Sequence, residues 1–158
     1  MIMRLYLKNQ KQWKNKVMTQ EDKELLLKDL SARLPYQPLC KKVDTEDDFC
    51  ECDAPLGYSL RDLVGNKIII KPYLRPMSSM TEEEFESLKE YSELIYDQLD
   101  LASFQNGAYK CLDFYLNEVP SYVVIKVFDW LNRNHFDYRG LIEMGLAIAV
   151  TKENNPYE

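Results

Sequence analysis

The run Met80-Thr-Glu-Glu-Glu-Phe85 constrains the fold more than any other stretch of the chain. Thr81 and Glu84 have the spacing of a capping box, in which each side chain satisfies the other residue's backbone N–H at a helix start. Met80 and Phe85 fall at the N′ and N4 positions of a hydrophobic staple, so the chain must enter this helix at a set angle. Glu82, Glu83 and Glu84 occupy the first turn, where the helix dipole favours negative charge, which gives them a structural reason to be there. Phe85, Leu88, Ile95 and Leu99 continue the inner stripe.

Just before this start, Lys67-Ile-Ile-Ile-Lys71 reads as a β-strand, preceded by a Gly65-Asn66 turn and closed by Pro72. Pro72 and Pro76 hold Lys71 to Met77 extended, because the residue before each proline is kept out of the helical region. A strand, a stiff connector and a capped helix in succession point to a mixed α+β architecture.

Other segments fit the same frame. Thr19 and Asp22 form a variant capping box, behind which Leu26, Leu27, Leu30 and Leu34 recur at helical spacing until Pro35. Tyr36 to Tyr58 carries Asp44, Glu46, Asp47, Asp48, Glu51 and Asp53 and reads as an exposed loop or edge hairpin. After the Asn106-Gly107 turn, Leu112, Phe114 and Leu116 alternate with Cys111, Asp113 and Tyr115, the period of a half-buried strand. Pro120 suits the first turn of a helix lined by Val124, Val127, Phe128 and Leu131, although the β-branched run Val123-Val124-Ile125 would also suit a strand. Asn134 is read as its left-handed terminator, and Asp137 as the cap of a further helix with Phe136 and Leu141 as its staple. Leu146 to Thr151 reads as a closing strand. The expected fold is three or four helices on a small, mostly antiparallel sheet made of Lys67–Lys71, Lys110–Asn117 and Leu146–Thr151.

With 158 residues, 46% of them hydrophobic and 29% charged, the chain suits one domain with its own core. Charge is unevenly spread: Arg4, Lys8, Lys11, Lys14 and Lys16 precede Val17 with no acid among them, leaving fifteen basic residues against twenty-six acids in the remainder. A body at −11 repels a phosphate backbone, so binding to duplex nucleic acid is not expected. Residues 1–17 have two readings, an extension upstream of a start at Met18 or a basic arm that docks on the acidic body or an anionic partner. Residues 18–158 form the expected single domain. No apolar run approaches the roughly 18 residues of a membrane span, and no secretory signal is evident, so a cytoplasmic chain with reduced thiols and no membrane association is expected.

No glycine-rich phosphate loop, nucleophile elbow or H-E-x-x-H motif is present. Cys40, Cys50 and Cys52, with Cys111 or His135, would supply enough ligands for zinc, but they lack a C-x₂-C pair, so no metal or other cofactor is assigned. Cys111, His135 and Asp137 match no nucleophile-base spacing, and no catalytic residue is assigned. The window Trp130 to Arg139 stands out instead, because it gathers Trp130, Arg133, His135, Asp137, Tyr138 and Arg139, types enriched at binding hot spots. The competing explanation is that the aromatic residues pack inward and the polar ones cap helix ends.

Three blocks, Lys23-Glu-Leu-Leu-Leu-Lys-Asp-Leu-Ser-Ala-Arg-Leu-Pro-Tyr36, Ile70-Lys-Pro-Tyr-Leu-Arg-Pro-Met-Ser-Ser-Met-Thr81 and Asp129-Trp-Leu-Asn-Arg-Asn-His-Phe-Asp-Tyr-Arg-Gly-Leu-Ile142, resemble a family of small uncharacterised proteins of gut anaerobic bacteria and their prophages. The three blocks together make up roughly a quarter of the chain and occur in the same order as in that family. It implies a start near Met18 and a host-takeover, defence-evasion or regulatory setting. The loop from Cys40 to Cys52 has no counterpart in that group.

Two functions are expected from this reading. One is a non-enzymatic protein-binding or regulatory protein, encoded by a phage or other mobile element, that engages a host or self protein through its acidic surface or the Trp130–Arg139 corner. The other is a small-ligand or nucleotide-binding domain, or an unrecognised hydrolase, using Arg75, Arg133, His135 and Arg139 around a tyrosine-lined pocket.

Overall fold

The computed structural model describes residues 18–44, 51–55, 68–94, 99–112 and 119–157. Residues 1–17, for which the two N-terminal readings were made, lie outside that set, as do Cys50, Ile95 and residues 113–118. The fold is α+β. Helix α1 (Gln20–Arg33) leads through a 3-10 turn (Leu34–Tyr36) into β1 (Leu39–Asp44), β2 (Glu51–Pro55) and β3 (Ile68–Leu74). Helices α2 (Glu82–Ser92), α3 (Leu101–Gln105) and α4 (Ser121–Arg133) follow, and β4 (Ile148–Ala149) comes last.

Both capping boxes form. The Thr19 hydroxyl accepts from the Asp22 N–H and the Asp22 carboxylate from the Thr19 N–H, and Thr81 and Glu84 do the same for α2. Met80 and Phe85 are both buried in one apolar cluster, as a staple requires.

The acidic stretch after Tyr36 is an edge hairpin: β1 and β2 pair antiparallel with Cys40 opposite Ala54. The sheet runs β2-β1-β3-β4, antiparallel except for the short parallel pairing of β3 with β4. β3 continues through Pro72 to Leu74, beyond the expected end. At Pro72, which lies opposite Cys40, the strand is flanked by β1, while β4 reaches it only at Tyr73 and Leu74. The missing N–H is tolerated where one side of a strand is open.

Four local expectations are corrected. Lys110 and Cys111 belong to a 3-10 turn (Ala108–Cys111) rather than a strand, since the left-handed Gly107 starts a tight turn there; the rest of that expected strand lies outside the described residues. Pro120 sits at the N-cap of α4 rather than inside its first turn. The buried face of α1 is Leu26, Asp29, Leu30 and Arg33, while Leu27 and Leu34 are exposed. No helix follows Asp137; the chain continues in turns to Ile148.

Two apolar clusters make up the described interior. The larger joins α2, α3 and α4 through Phe85, Leu88, Phe104, Val127 and Leu131. The smaller lies between α1 and the sheet and contains Leu26, Leu30, Cys40, Ile70, Leu74 and Leu141.

Candidate functional site

The window 130–139 joins these two clusters, and its shape follows from how α4 ends. The Phe136 N–H donates to the Leu131 carbonyl and the His135 N–H to that of Asn132. This is the Schellman pattern, which requires a left-handed residue just past the helix. His135 fills that position with φ 59, whereas Asn134, the expected terminator, has φ −96 and bonds its side-chain amide to the Trp130 carbonyl.

The turn drives Phe136 against the end of β3. The Arg75 N–H donates to the His135 carbonyl and the Asp137 N–H to that of Arg75, both at 2.8 Å, so Phe136 extends the sheet by one parallel bridge. The Phe136 ring is fully buried, stacks on Trp130 and carries the Arg75 guanidinium 4.2 Å from its centre. Arg75 in turn makes a two-pronged pair with Glu84, at 2.7 and 2.9 Å. Burial works to raise the Glu84 pKa, but Arg75 and the Thr81 N–H outweigh it and hold the carboxyl below its ordinary range.

Behind this contact lies an ionic knot. Asp29 and Arg33, one turn apart on α1, are both fully buried, and Arg33 Nε and Nη2 donate to the two Asp29 oxygens. Arg139 reaches the same carboxylate at 2.7 Å, and Arg33 Nη2 also donates to the Phe136 carbonyl at 2.8 Å. Asp137 accepts from the N–H groups of Leu141 and Ile142, and the Tyr138 hydroxyl donates to Asn132. A local i, i+4 acid-base spacing was the available sign of Asp29 and Arg33. The apolar stripe drew attention to Leu27 and Leu34 instead.

Of the six residues singled out in this window, Trp130, Asp137 and Tyr138 are buried, Arg139 and His135 are half-buried, and Arg133 is exposed. His135 stacks on Tyr157 with ring centres 4.4 Å apart. Burial first, then the Arg33 and Arg75 charges, lowers its pKa to about 4, so the imidazole is neutral near pH 7.

The window thus offers one outward face. Arg133, Asn134 and the largely buried Trp130 line an open cleft of about 460 Å³ with Glu83, Glu84, Ser87 and Tyr91 of α2. On the preceding turn of α4, Asp129 accepts hydrogen bonds from the hydroxyls of Tyr36 and Tyr91. Those bonds to a carboxylate raise both phenol pKa values. Arg133 makes no ion pair among the described residues. Arg75, Arg133, His135 and Arg139 do not converge on one pocket: Arg75 and Arg139 are held by carboxylates, and of the four only Arg133 lines the cleft.

Cys40 is buried, with its thiol pushed up to about 12 by burial, and Cys111 is exposed. Among the described residues, no three His, Cys, Asp or Glu side chains are placed to hold a metal ion. None of their helices is long and apolar enough to cross a membrane. Both Asp137 oxygens serve backbone N–H groups, and His135 makes no hydrogen bond to a cysteine or carboxylate among these residues. The fold and cleft define an α+β domain with a polar, aromatic-lined groove between two helices. No family model, curated protein or solved structure matches the chain.

Proposed function

We propose that this protein is a non-enzymatic recognition module that binds a protein partner at the α2–α4 cleft, with Tyr91, Trp130 and Arg133 as its anchors. One observation carries the reading. Asp137 and Arg139 are committed to internal bonds and His135 is stacked on Tyr157, whereas Arg133 stands exposed at a cleft it lines with Tyr91 and the largely buried Trp130, residue types found at interface hot spots. Acid-base chemistry near neutral pH works best with a base of matching pKa, and His135, stacked on Tyr157 with a pKa lowered to about 4, is only weakly basic. The acidic body adds long-range steering toward a basic partner surface. The resemblance to gut-anaerobe and prophage proteins makes a host protein the natural partner.

Affinity capture with three baits tests this reading: the whole chain, Arg133→Glu and Tyr91→Ala. A stoichiometric protein retained by the first and lost from both variants, with unchanged circular dichroism, is the expected result. Retention by both variants would move recognition to another face. A nucleotide or metabolite that co-purifies and is lost on Arg139→Ala would replace protein binding by small-ligand binding.

A further inference from the structure

Arg133 has a carboxylate one turn before it on α4, Asp129, at the spacing where an acid and a base on one helix normally pair. No such pair forms. Asp129 is taken by two phenols instead: Oδ1 accepts from the Tyr36 hydroxyl and Oδ2 from the Tyr91 hydroxyl, the latter at 2.8 Å. Glu84, on the α2 wall of the cleft, gives both its oxygens to Arg75. Carboxylates on both helices are thus engaged elsewhere, and the exposed Arg133 guanidinium keeps its donors for a group from outside.

The two walls set what that group can be. α2 and α4 run antiparallel, since Tyr91 reaches Asp129 while Glu93, just past α2, reaches Lys126 and Tyr122, which come earlier on α4. A segment laid along α2 passes Glu83, Ser87 and Tyr91, each one turn from the next, and meets Arg133 from the other side. Glu83 is exposed and makes no ion pair among the described residues. With Glu84 balanced by Arg75, the charges of Glu83, Asp129 and Arg133 leave an excess of one negative charge. A phosphate group would add to that excess. A single carboxylate accompanied by a cation would not: the carboxylate suits the fork of Arg133 and the cation suits Glu83.

We propose that the occupant of this cleft is a protein segment carrying an Asp or Glu and, within a few residues, a Lys or Arg, and that Tyr36 and Tyr91 hold Asp129 away from Arg133 so that it can receive the segment's carboxylate. The inference rests on the cleft being a protein-binding face and specifies the chemistry of the partner. A random-peptide library displayed on phage and selected on the immobilised full chain supplies the probe. Enriched peptides, synthesised and titrated by calorimetry, should carry the acid and the base together and lose about tenfold or more in affinity on Arg133→Glu. Exchanging the peptide's acid for lysine should restore binding to that variant. Tyr91→Phe keeps the ring but frees Asp129 Oδ2 to pair with Arg133, so affinity should fall. Adding Asp129→Asn should recover it, which a loss of packing would not allow. Peptides lost on Tyr91→Ala but bound unchanged by Arg133→Glu would overturn the carboxylate assignment and leave the cleft as the binding face. Tighter binding of a phosphoserine in place of the acid would do the same. Peptides indifferent to both Tyr91→Ala and Arg133→Glu, or a selection that enriches none, would overturn the reading of the cleft itself.

Discussion

Around α2, α3 and α4 the interior is apolar, with Phe85, Leu88, Phe104, Val127 and Leu131 packed together and no buried ion pair there among the described residues, whereas on α1 the buried face alternates leucines with Asp29 and Arg33. The first region is stabilised by area removed from water and tolerates volume-conserving apolar exchanges. The second depends on charge matching, where losing one partner leaves the other stranded in a poorly solvated place. Stability and specificity are therefore unevenly shared: one cluster makes the domain fold, and the other sets how α1, the 130–139 corner and the tail are oriented.

The sharpest way to break this contrast is to remove one charge. Asp29→Ala leaves Arg33 buried and half-satisfied and should cost about 3–5 kcal/mol in urea unfolding. Asp29→Leu with Arg33→Met removes both charges and should recover most of that loss, the signature of a knot that specifies orientation more than it stabilises. If the double variant is as unstable as the single, the contrast fails. In the apolar region, Leu88→Ala should cost about 3 kcal/mol through lost burial and a residual cavity, with no partner substitution able to restore it.

The same contrast explains what was legible in the sequence. Local chemistry was readable: the Thr19 and Thr81 boxes and the Met80–Phe85 staple declare themselves within a few residues, whereas the edge hairpin competed with a plain loop and α4 with a strand through Val123-Val124-Ile125. The apolar cluster was readable too, because Phe85, Leu88, Val124, Val127 and Leu131 keep helical period. The polar knot was not, since Asp29 and Arg33 look like a solvated i, i+4 pair until Arg139, 110 positions from Asp29, closes on them. The corner misled for a related reason. Asn134 is the commoner left-handed residue, but the Schellman bonds fall one residue later, on His135. Six recognition-prone side chains were visible in that window, yet tertiary pairing decides that only Arg133 faces fully outward.

A pH series sharpens the comparison at the seam between the regions. Arg33 on α1, Arg75 just past β3 and Tyr157 in the tail act on His135, and its folded pKa of about 4 lies below the ordinary 6.5. The unfolded chain takes up a proton as pH falls through 6.5, while the folded chain does so only near 4. The His135 contribution is thus complete above pH 6.5, declines between 6.5 and about 4, and is constant below. Allowing for solvent at its exposed edge, the decline should be about 1–2 kcal/mol. His135→Phe should flatten that window; an unchanged slope would show that other groups produce it. Thr81→Ala, which removes the cap of α2, should cost about 1 kcal/mol near pH 7.

Arg133→Ala should have the smallest effect on folding and the most to say about function. Its side chain is exposed, pairs with no carboxylate among the described residues and terminates a helix whose end is held by backbone bonds from His135 and Phe136. Unfolding free energy should therefore change by less than about 0.5 kcal/mol, as at other surface sites without a specific contact. On the proposed reading, an arginine that adds little to the fold and lines the cleft with Tyr91 and Trp130 has its value in what it meets from outside. A loss of several kcal/mol would place Arg133 within the ionic architecture of the corner and end the distinction between a structural interior and a recognition face. An unchanged stability curve with partner capture abolished would separate the two functions at a single residue.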